Sequence, residues 1–84
     1  MTYMHRNQGT CSRSVRFDID ENGLLHNIQF EGGCNGNLQG ISKLCEGKDA
    51  KEIMQTLRGT RCGFKNTSCP DQLAIAIAEA IEKE

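Results

Sequence analysis

The chain has 84 residues, which suits one small domain with a thin hydrophobic core. Charged residues make up 25% of it and the formal net charge is −1, which argues against a nucleic-acid-binding arm or a polybasic membrane anchor. No apolar run approaches the length of a membrane span, and the first residues lack the apolar core of a signal peptide. We therefore expect a cytoplasmic protein with neither a nucleic-acid nor a membrane partner.

The chain contains 5 cysteines, which is many for a protein in a reducing compartment. In such compartments clustered cysteines are more often metal ligands or reactive thiols than structural disulfides. The odd count leaves at least one thiol unpaired in any scheme made only of disulfides. The cysteines are therefore the first residues to consider for a function.

Residues 1–8 are polar and lack a period, which predicts a flexible tail ahead of a single domain over residues 9–84. We expect His5, within that tail, to have no role. Alternating polarity then predicts a strand that begins near Cys11. Its two faces are predicted to be Arg13, Val15, Phe17 and Ile19 on the apolar side, and Ser12, Ser14, Arg16 and Asp18 on the other.

Asn22-Gly23 separates this strand from a second one over residues 24–32, which is a strong hairpin signal. A two-residue turn would place Val15 opposite Phe30, and Cys11 opposite Cys34. A four-residue loop would instead place Cys11 opposite Gly32, but both cysteines would still share the apolar face. Either register brings Cys11 and Cys34 together at the open end of the hairpin. His26, at the turn end, is interpreted as a partly buried histidine with hydrogen-bond partners rather than as a ligand.

Capping residues and apolar spacing predict three helices after the hairpin. The first ends at Gly47, and its apolar stripe contains Leu38, Ile41, Leu44 and Cys45. The second begins at Asp49 with Glu52 as its capping partner, and the third runs from about Pro70 to near Glu84. The order predicts an α+β fold in which an antiparallel β-hairpin, alone or extended to a three-stranded sheet, packs against three helices.

The pentapeptide Thr67-Ser68-Cys69-Pro70-Asp71 places a thiol at the start of the third helix. Free backbone N–H groups at a helix N-terminus favour a thiolate. Cys69 precedes Leu73 by one helical turn and so faces the same interior. Cys62 lies in the loop that leads into this helix.

Four cysteines can therefore converge on one site, namely Cys11, Cys34, Cys62 and Cys69. Four thiolates suit Zn²⁺ or an iron–sulfur cluster. The alternatives are buried core thiols, a cross-strand disulfide between Cys11 and Cys34, and a plain loop thiol at Cys62. Cys45 is assigned to core packing.

The runs GGCNGNLQGISKL and RCGFKNTSCPDQLA resemble the small bacterial TSCPD-domain proteins. The similarity extends over nearly the whole chain from Gly9 onward, and it implies Cys11, Cys34, Cys62 and Cys69 as the family's cysteines. Related domains lie at the C-terminus of the B12-dependent ribonucleotide reductases. Small stand-alone members of the family often carry a ribonucleoside-diphosphate reductase label. This chain is too short for a reductase barrel with its radical and cobalamin sites. The resemblance therefore implies an accessory or detached module.

The layout is also similar to iron–sulfur scaffold proteins of the IscU/NifU type, with Cys11, Cys34 and Cys69 at the positions of their three cysteines. Those scaffolds carry an aspartate where Arg13 stands and a histidine where Ser68 stands. The resemblance therefore implies the IscU/NifU-like fold and a metal site more than it implies cluster assembly.

Two functions follow. The first is a cysteine-rich module that binds Zn²⁺ or an iron–sulfur cluster and serves ribonucleotide reduction or an iron–sulfur or redox protein. The second is a thiol-redox partner of a ribonucleoside-diphosphate reductase or another enzyme, which uses Cys62 and Cys69. We expect no independent catalysis, because no base–nucleophile pair or pair of carboxylates stands out.

Overall fold

The computed structural model describes residues 2–7, 9–10, 12–33, 35–60 and 67–83. The strands form one antiparallel sheet in the order β1-β2-β3, and three helices follow them. The elements are β1 Thr2–Arg6, β2 Ser12–Ile19, β3 Leu25–Gly32, α1 Asn35–Cys45, α2 Ala50–Leu57 and α3 Cys69–Lys83. The α+β prediction is confirmed, with three strands in the sheet. Within the described ranges, no helix is both long and apolar enough to cross a membrane.

Strand β1 is formed by residues that the sequence assigned to a flexible tail. It pairs along the free edge of β2, from Thr2 opposite Asp18 to Arg6 opposite Ser14. The half-buried Tyr3 ring stacks on Phe17 with 5.8 Å between ring centroids. The tail prediction was wrong for these residues because an edge strand with one half-buried face carries little hydrophobic signal.

The hairpin turn has three residues rather than two or four. The Asp20 N–H donates to the Leu24 carbonyl over 3.0 Å, and Gly23 adopts φ 79°, a left-handed value suited to glycine. A bulge then adds one residue to β3 at Asn27, which has φ 55°. The extra residue restores the predicted pairing of Val15 with Phe30.

A second bulge, in β2, changes which side chains face the interior. Ser12 pairs with Gly32 and Ser14 with Glu31, so Arg13 is the extra residue. Ser12 is only 2% exposed, whereas Arg13 is exposed. The predicted faces of these two residues were therefore wrong, because a bulge shifts the alternation by one position. The shift points the Ser12 hydroxyl toward the protein interior.

The core lies between the sheet and the helices. Its largest fully buried side chains are Val15, Phe17, Leu25, Leu73 and Ile77. Two predictions from the apolar stripe of α1 had opposite outcomes: Cys45 is 4% exposed and belongs to the core, whereas Leu44 is 74% exposed. The stripe of α1 is narrower than predicted, since one face of this helix packs against the edge strand β3 and Leu44 lies off that face.

Candidate functional site

Cys69 is the first residue of α3, and its thiol is buried, with 7% of the residue exposed. Ser68 caps the helix, since its hydroxyl oxygen accepts from the Asp71 N–H over 3.2 Å. The Ser68 carbonyl accepts the next helical hydrogen bond, from the Gln72 N–H at 2.9 Å. The helix start that carries the thiol is thus fixed by its own cap.

The first residue of β2 touches this thiol. The Ser12 Oγ lies 2.9 Å from the Cys69 Sγ, and the Asn7 Nδ2 donates to the same Ser12 oxygen over 2.7 Å. Because Ser12 pairs with Gly32, the open end of the β2–β3 hairpin lies against the start of α3. The sequence predicted this proximity between Cys69 and the open end of the hairpin.

The residues on both sides of Cys11 approach the same helix start, although Cys11 itself lies outside the described residues. A Cβ placed on Gly9, which has φ +71°, would lie 3.3 Å from the Thr67 Cγ2. On the other side, Ser12 contacts Cys69. The Thr10 hydroxyl closes the segment by donating to the Ser12 carbonyl over 2.9 Å. The chain that carries Cys11 is therefore held at the N-terminus of α3.

Both ends of the segment that carries Cys62 are also held there. The Gly59 N–H donates to the Asp71 Oδ1 over 2.7 Å, and the Ser68 hydroxyl donates to the Thr60 carbonyl over 2.6 Å. The Thr67 hydroxyl donates to the other Asp71 oxygen. Asp71 therefore ties the α2–α3 connection to the helix. Residues 61–66, with Cys62, lie outside the described residues, as does Cys34.

Of the four predicted ligands, the described ranges contain only Cys69. In those ranges no group of three or more His, Cys, Asp or Glu side chains could hold a metal ion. Sequence reasoning missed Ser12 and Asn7, because the bulge that buries Ser12 leaves no trace in the alternation of polarity. The close spacing of Asn7, Ser12 and Cys11 along the chain was the one available signal.

The polar groups next to Cys69 can stabilise a thiolate. A sulfur anion in the interior needs hydrogen-bond donors, and a hydroxyl stands next to the Cys69 sulfur. The Asn7 Oδ1 is buried and has no hydrogen-bond partner in the part of the chain that the structure describes. A buried polar atom without a partner calls for an explanation, such as strain or a bound water or ion. Of these groups, the Cys69 sulfur is the kind of ligand that Zn²⁺ and iron bind.

Cys45 has no part in this site. It packs in the hydrophobic core, and burial raises the pKa of its thiol. A thiol of this kind is inert toward metals and oxidants. Its assignment to core packing is confirmed.

Two histidines form polar contacts elsewhere. His5, for which no role was expected, lies 3.0 Å from the Gln72 Oε1 and 2.7 Å from the Glu79 Oε1, so it ties β1 to α3. His26 lies between two carboxylates, with its Nε2 2.7 Å from the Asp20 Oδ2 and its Nδ1 2.6 Å from the Glu46 Oε2. Hydrogen bonds to Asp20 and then to Glu46 raise the pKa of His26. His26 is therefore a histidine with hydrogen-bond partners, as the sequence predicted.

The fold and the Cys69 position together define a small α+β domain with a buried thiol where a hairpin end meets a helix start. The chain belongs to the TSCPD-domain family, whose model matches residues 1–81. This match confirms the resemblance seen in the sequence, and it extends over β1 as well. No curated protein and no solved structure matches the chain.

Proposed function

We propose that the protein is a small cytoplasmic module that binds Zn²⁺ or an iron–sulfur cluster through Cys11, Cys34, Cys62 and Cys69. The observation that carries the proposal is the convergence on Cys69 of chain segments next to the other three cysteines. Each of those segments is described up to within two residues of its cysteine.

Chain length supports the convergence. Ser12 contacts the Cys69 sulfur and is bonded to Cys11, while Gly32, its pairing partner, precedes Cys34 by two residues. Thr60, whose carbonyl accepts from the Ser68 hydroxyl, precedes Cys62 by two residues. Two residues of extended chain span at most about 7 Å. All three cysteines are therefore within reach of a metal held at the Cys69 sulfur.

The proposal assigns the metal to the protein as a resident group. With four thiolates a tetrahedral site is closed, which is typical of structural or electron-transfer sites rather than of sites that bind substrate. A small domain with a thin core would gain folding free energy from such a site. As part of this proposal, the module serves a ribonucleotide reductase or an iron–sulfur or redox protein, and it has no catalytic activity of its own.

Metal analysis of anaerobically purified protein tests the proposal. We expect zinc or iron in fixed proportion to the wild-type chain, and loss of that metal in Cys34→Ser and in Cys69→Ser. Cys45→Ser is the matched control, because it removes a thiol that belongs to the core. Metal-free wild-type protein, or equal metal loss in the control, would contradict the proposal.

A thiol-redox function is the second candidate, and the contact between Ser68 and Thr60 is the observation that favours it. That contact holds Thr60, which precedes Cys62 by two residues, against the residue next to Cys69. A disulfide needs two cysteine Cα atoms within about 7 Å of each other. In this reaction the two thiols form a disulfide and give two electrons and two protons to a partner's disulfide, which becomes two thiols. Metal-free protein that forms a Cys62–Cys69 disulfide with a chemical disulfide oxidant, and is re-reduced by a dithiol, would favour this function over metal binding.

A further inference from the structure

We propose that Ser12 is a positioning residue for metal-bound Cys69, and that its hydroxyl proton is directed at the Cys69 sulfur by the Asn7 amide. This inference rests on the proposed metal site and adds the part of the chain that orients and tunes one ligand. It assigns a role to two polar residues that form no part of the ligand set.

The proton directions follow from counting donors around Ser12. The Asn7 Nδ2 has only protons to offer, so the Ser12 oxygen accepts that 2.7 Å hydrogen bond. The Thr10 hydroxyl uses its single proton on the Ser12 carbonyl. The Ser12 proton therefore points elsewhere, and the Cys69 sulfur at 2.9 Å is nearer than the Thr10 oxygen at 3.5 Å.

The direction of the Ser12 proton depends on which end of the Asn7 amide faces Ser12. Rotated by half a turn, the amide would present its oxygen to Ser12 and would take up the hydroxyl proton itself. In the orientation found, the Asn7 Oδ1 is buried without a partner among the described residues, and Asn7 is 9% exposed. Leaving a buried carbonyl unpaired is unfavourable. With the Asn7 Nδ2 donating to Ser12, the Ser12 proton is available to the Cys69 sulfur.

The bulge at Arg13 is what brings the hydroxyl to this place. Without the extra residue, the alternation of β2 would point the Ser12 side chain to the solvent face. Bulges are common next to functional sites, where they re-aim a side chain. Here the residue re-aimed is a hydroxyl that is 2% exposed and adjacent in sequence to another proposed ligand, Cys11.

A hydroxyl proton on a metal-bound thiolate has two consequences. It fixes the direction in which the sulfur presents its remaining lone pairs, and it draws electron density from the sulfur toward the proton. Loss of such an outer-sphere partner typically lowers metal affinity by about 10- to 100-fold. It also raises the energy of the filled sulfur orbitals, so that light moves an electron from sulfur to metal at longer wavelength.

Cobalt(II) titration of the reduced, metal-free full-length protein tests the inference. We expect Ser12→Ala to weaken Co²⁺ binding by roughly 10-fold and to move the sulfur-to-cobalt absorption band to longer wavelength. Ser12→Thr, which keeps the hydroxyl and suits a strand, should return both towards wild type. The matched control is Ser14→Ala in the same strand, since that hydroxyl donates to Glu31 over 3.2 Å on the solvent face.

A second variant keeps the test decisive if Ser12→Thr does not fold. In Asn7→Asp the side chain keeps its shape but can only accept, so it draws the Ser12 proton away from Cys69. We expect its band to move in the same direction as that of Ser12→Ala. Wild-type absorption in Ser12→Ala and Asn7→Asp would overturn the inference while leaving the metal site intact. Wild-type protein that gives no cobalt band dependent on Cys69 would overturn the proposed function, and this inference with it.

Discussion

The Ser68 hydroxyl donates a hydrogen bond to the Thr60 carbonyl over 2.6 Å, and this contact holds Thr60, two residues before Cys62, at the start of α3. The same side chain accepts from the Asp71 N–H as the cap of α3. One serine thus fixes a helix start and a loop end at the proposed site. The two hydrogen bonds can be separated by experiment.

Ser68→Ala should lower both the stability of the protein and its metal affinity. We expect a loss of about 2 kcal/mol in the free energy of unfolding, with about half from the helix cap and half from the bond to Thr60. Asp49→Ala is the matched control, because Asp49 caps a different helix, α2, through the Glu52 N–H at 3.0 Å. Urea unfolding of metal-free protein should show a loss of about 1 kcal/mol in the control. Unchanged metal affinity in Ser68→Ala would contradict its role at the site.

Gly9→Ala should disturb the site through Thr67. Gly9 has φ +71° and Gly47 has φ +74°, so an alanine at either position costs roughly 1 kcal/mol in backbone strain. Only at Gly9 would the added Cβ crowd a neighbour, the Thr67 Cγ2 at 3.3 Å, whereas nothing lies within 4 Å at Gly47. We therefore expect weaker metal binding in Gly9→Ala and wild-type binding in Gly47→Ala.

Thr67→Ser, placed in the Gly9→Ala background, tests the cause. It removes the crowded methyl group and keeps the hydroxyl that donates to Asp71. Recovery of cobalt affinity, without full recovery of stability, is the expected result. Affinity that stays low in this double variant would show that backbone strain at Gly9, and not contact with Thr67, disturbs the site.

The stability of the fold should depend on the protonation of His26. Because its pKa is raised above 6.5, the stabilisation is fully present below that value and is lost as the pH rises through the raised pKa. The pKa of Glu46 is lowered from 4.5, chiefly by the Asn27 N–H, and that of Asp20 from 3.8, chiefly by the Leu24 N–H. The Asp20 and Glu46 carboxylates contribute their stabilisation fully above the ordinary pKa values of 3.8 and 4.5. The contact of His26 with both carboxylates therefore stabilises the fold most between about pH 4.5 and 6.5.

Thermal unfolding at about pH 5.5 and at about pH 8.5 checks this dependence. The wild-type midpoint should fall at the higher pH, and His26→Gln should remove most of that fall. The variant should also be less stable than wild type at the lower pH. Equal losses between the two pH values in wild type and His26→Gln would contradict the assignment.

Cys45→Ala should cost stability without affecting metal content. Cys45 is 4% exposed in the core, and removal of its sulfur leaves a small cavity that costs about 1 kcal/mol. Denaturant unfolding and metal analysis of the same sample check both parts. Loss of metal from this variant at wild-type stability would place Cys45 in the site and contradict its separation from the other cysteines.

Local signals in the sequence were sufficient for most of the fold. Alternation with Asn22-Gly23 located the hairpin, and the capping residues Asp49 and Ser68 located the starts of α2 and α3. Strand β1 was missed because it is an edge strand with polar residues and one half-buried face. The exposure of Leu44 could not be predicted, since periodicity gives the direction of an apolar stripe but not its width.

The site was predictable only in part. The position of Cys69 at the open end of the hairpin followed from the hairpin and the helix cap together. The burial of Ser12 depends on a bulge at Arg13, and a bulge arises from the pairing of two strands rather than from either sequence alone. The polar contacts that surround the thiol therefore required the three-dimensional structure.

X-ray absorption at the edge of the bound metal tests the central claim most directly, because it counts the sulfur neighbours of that metal. For zinc the account predicts four sulfur ligands at about 2.3 Å in the wild-type protein, and for iron an all-sulfur protein ligand set. Cys69→Ser should lower the sulfur count of any metal retained, while Cys45→Ser should not. A first shell made of oxygen or nitrogen atoms, or a sulfur count unchanged in Cys69→Ser, would contradict the account.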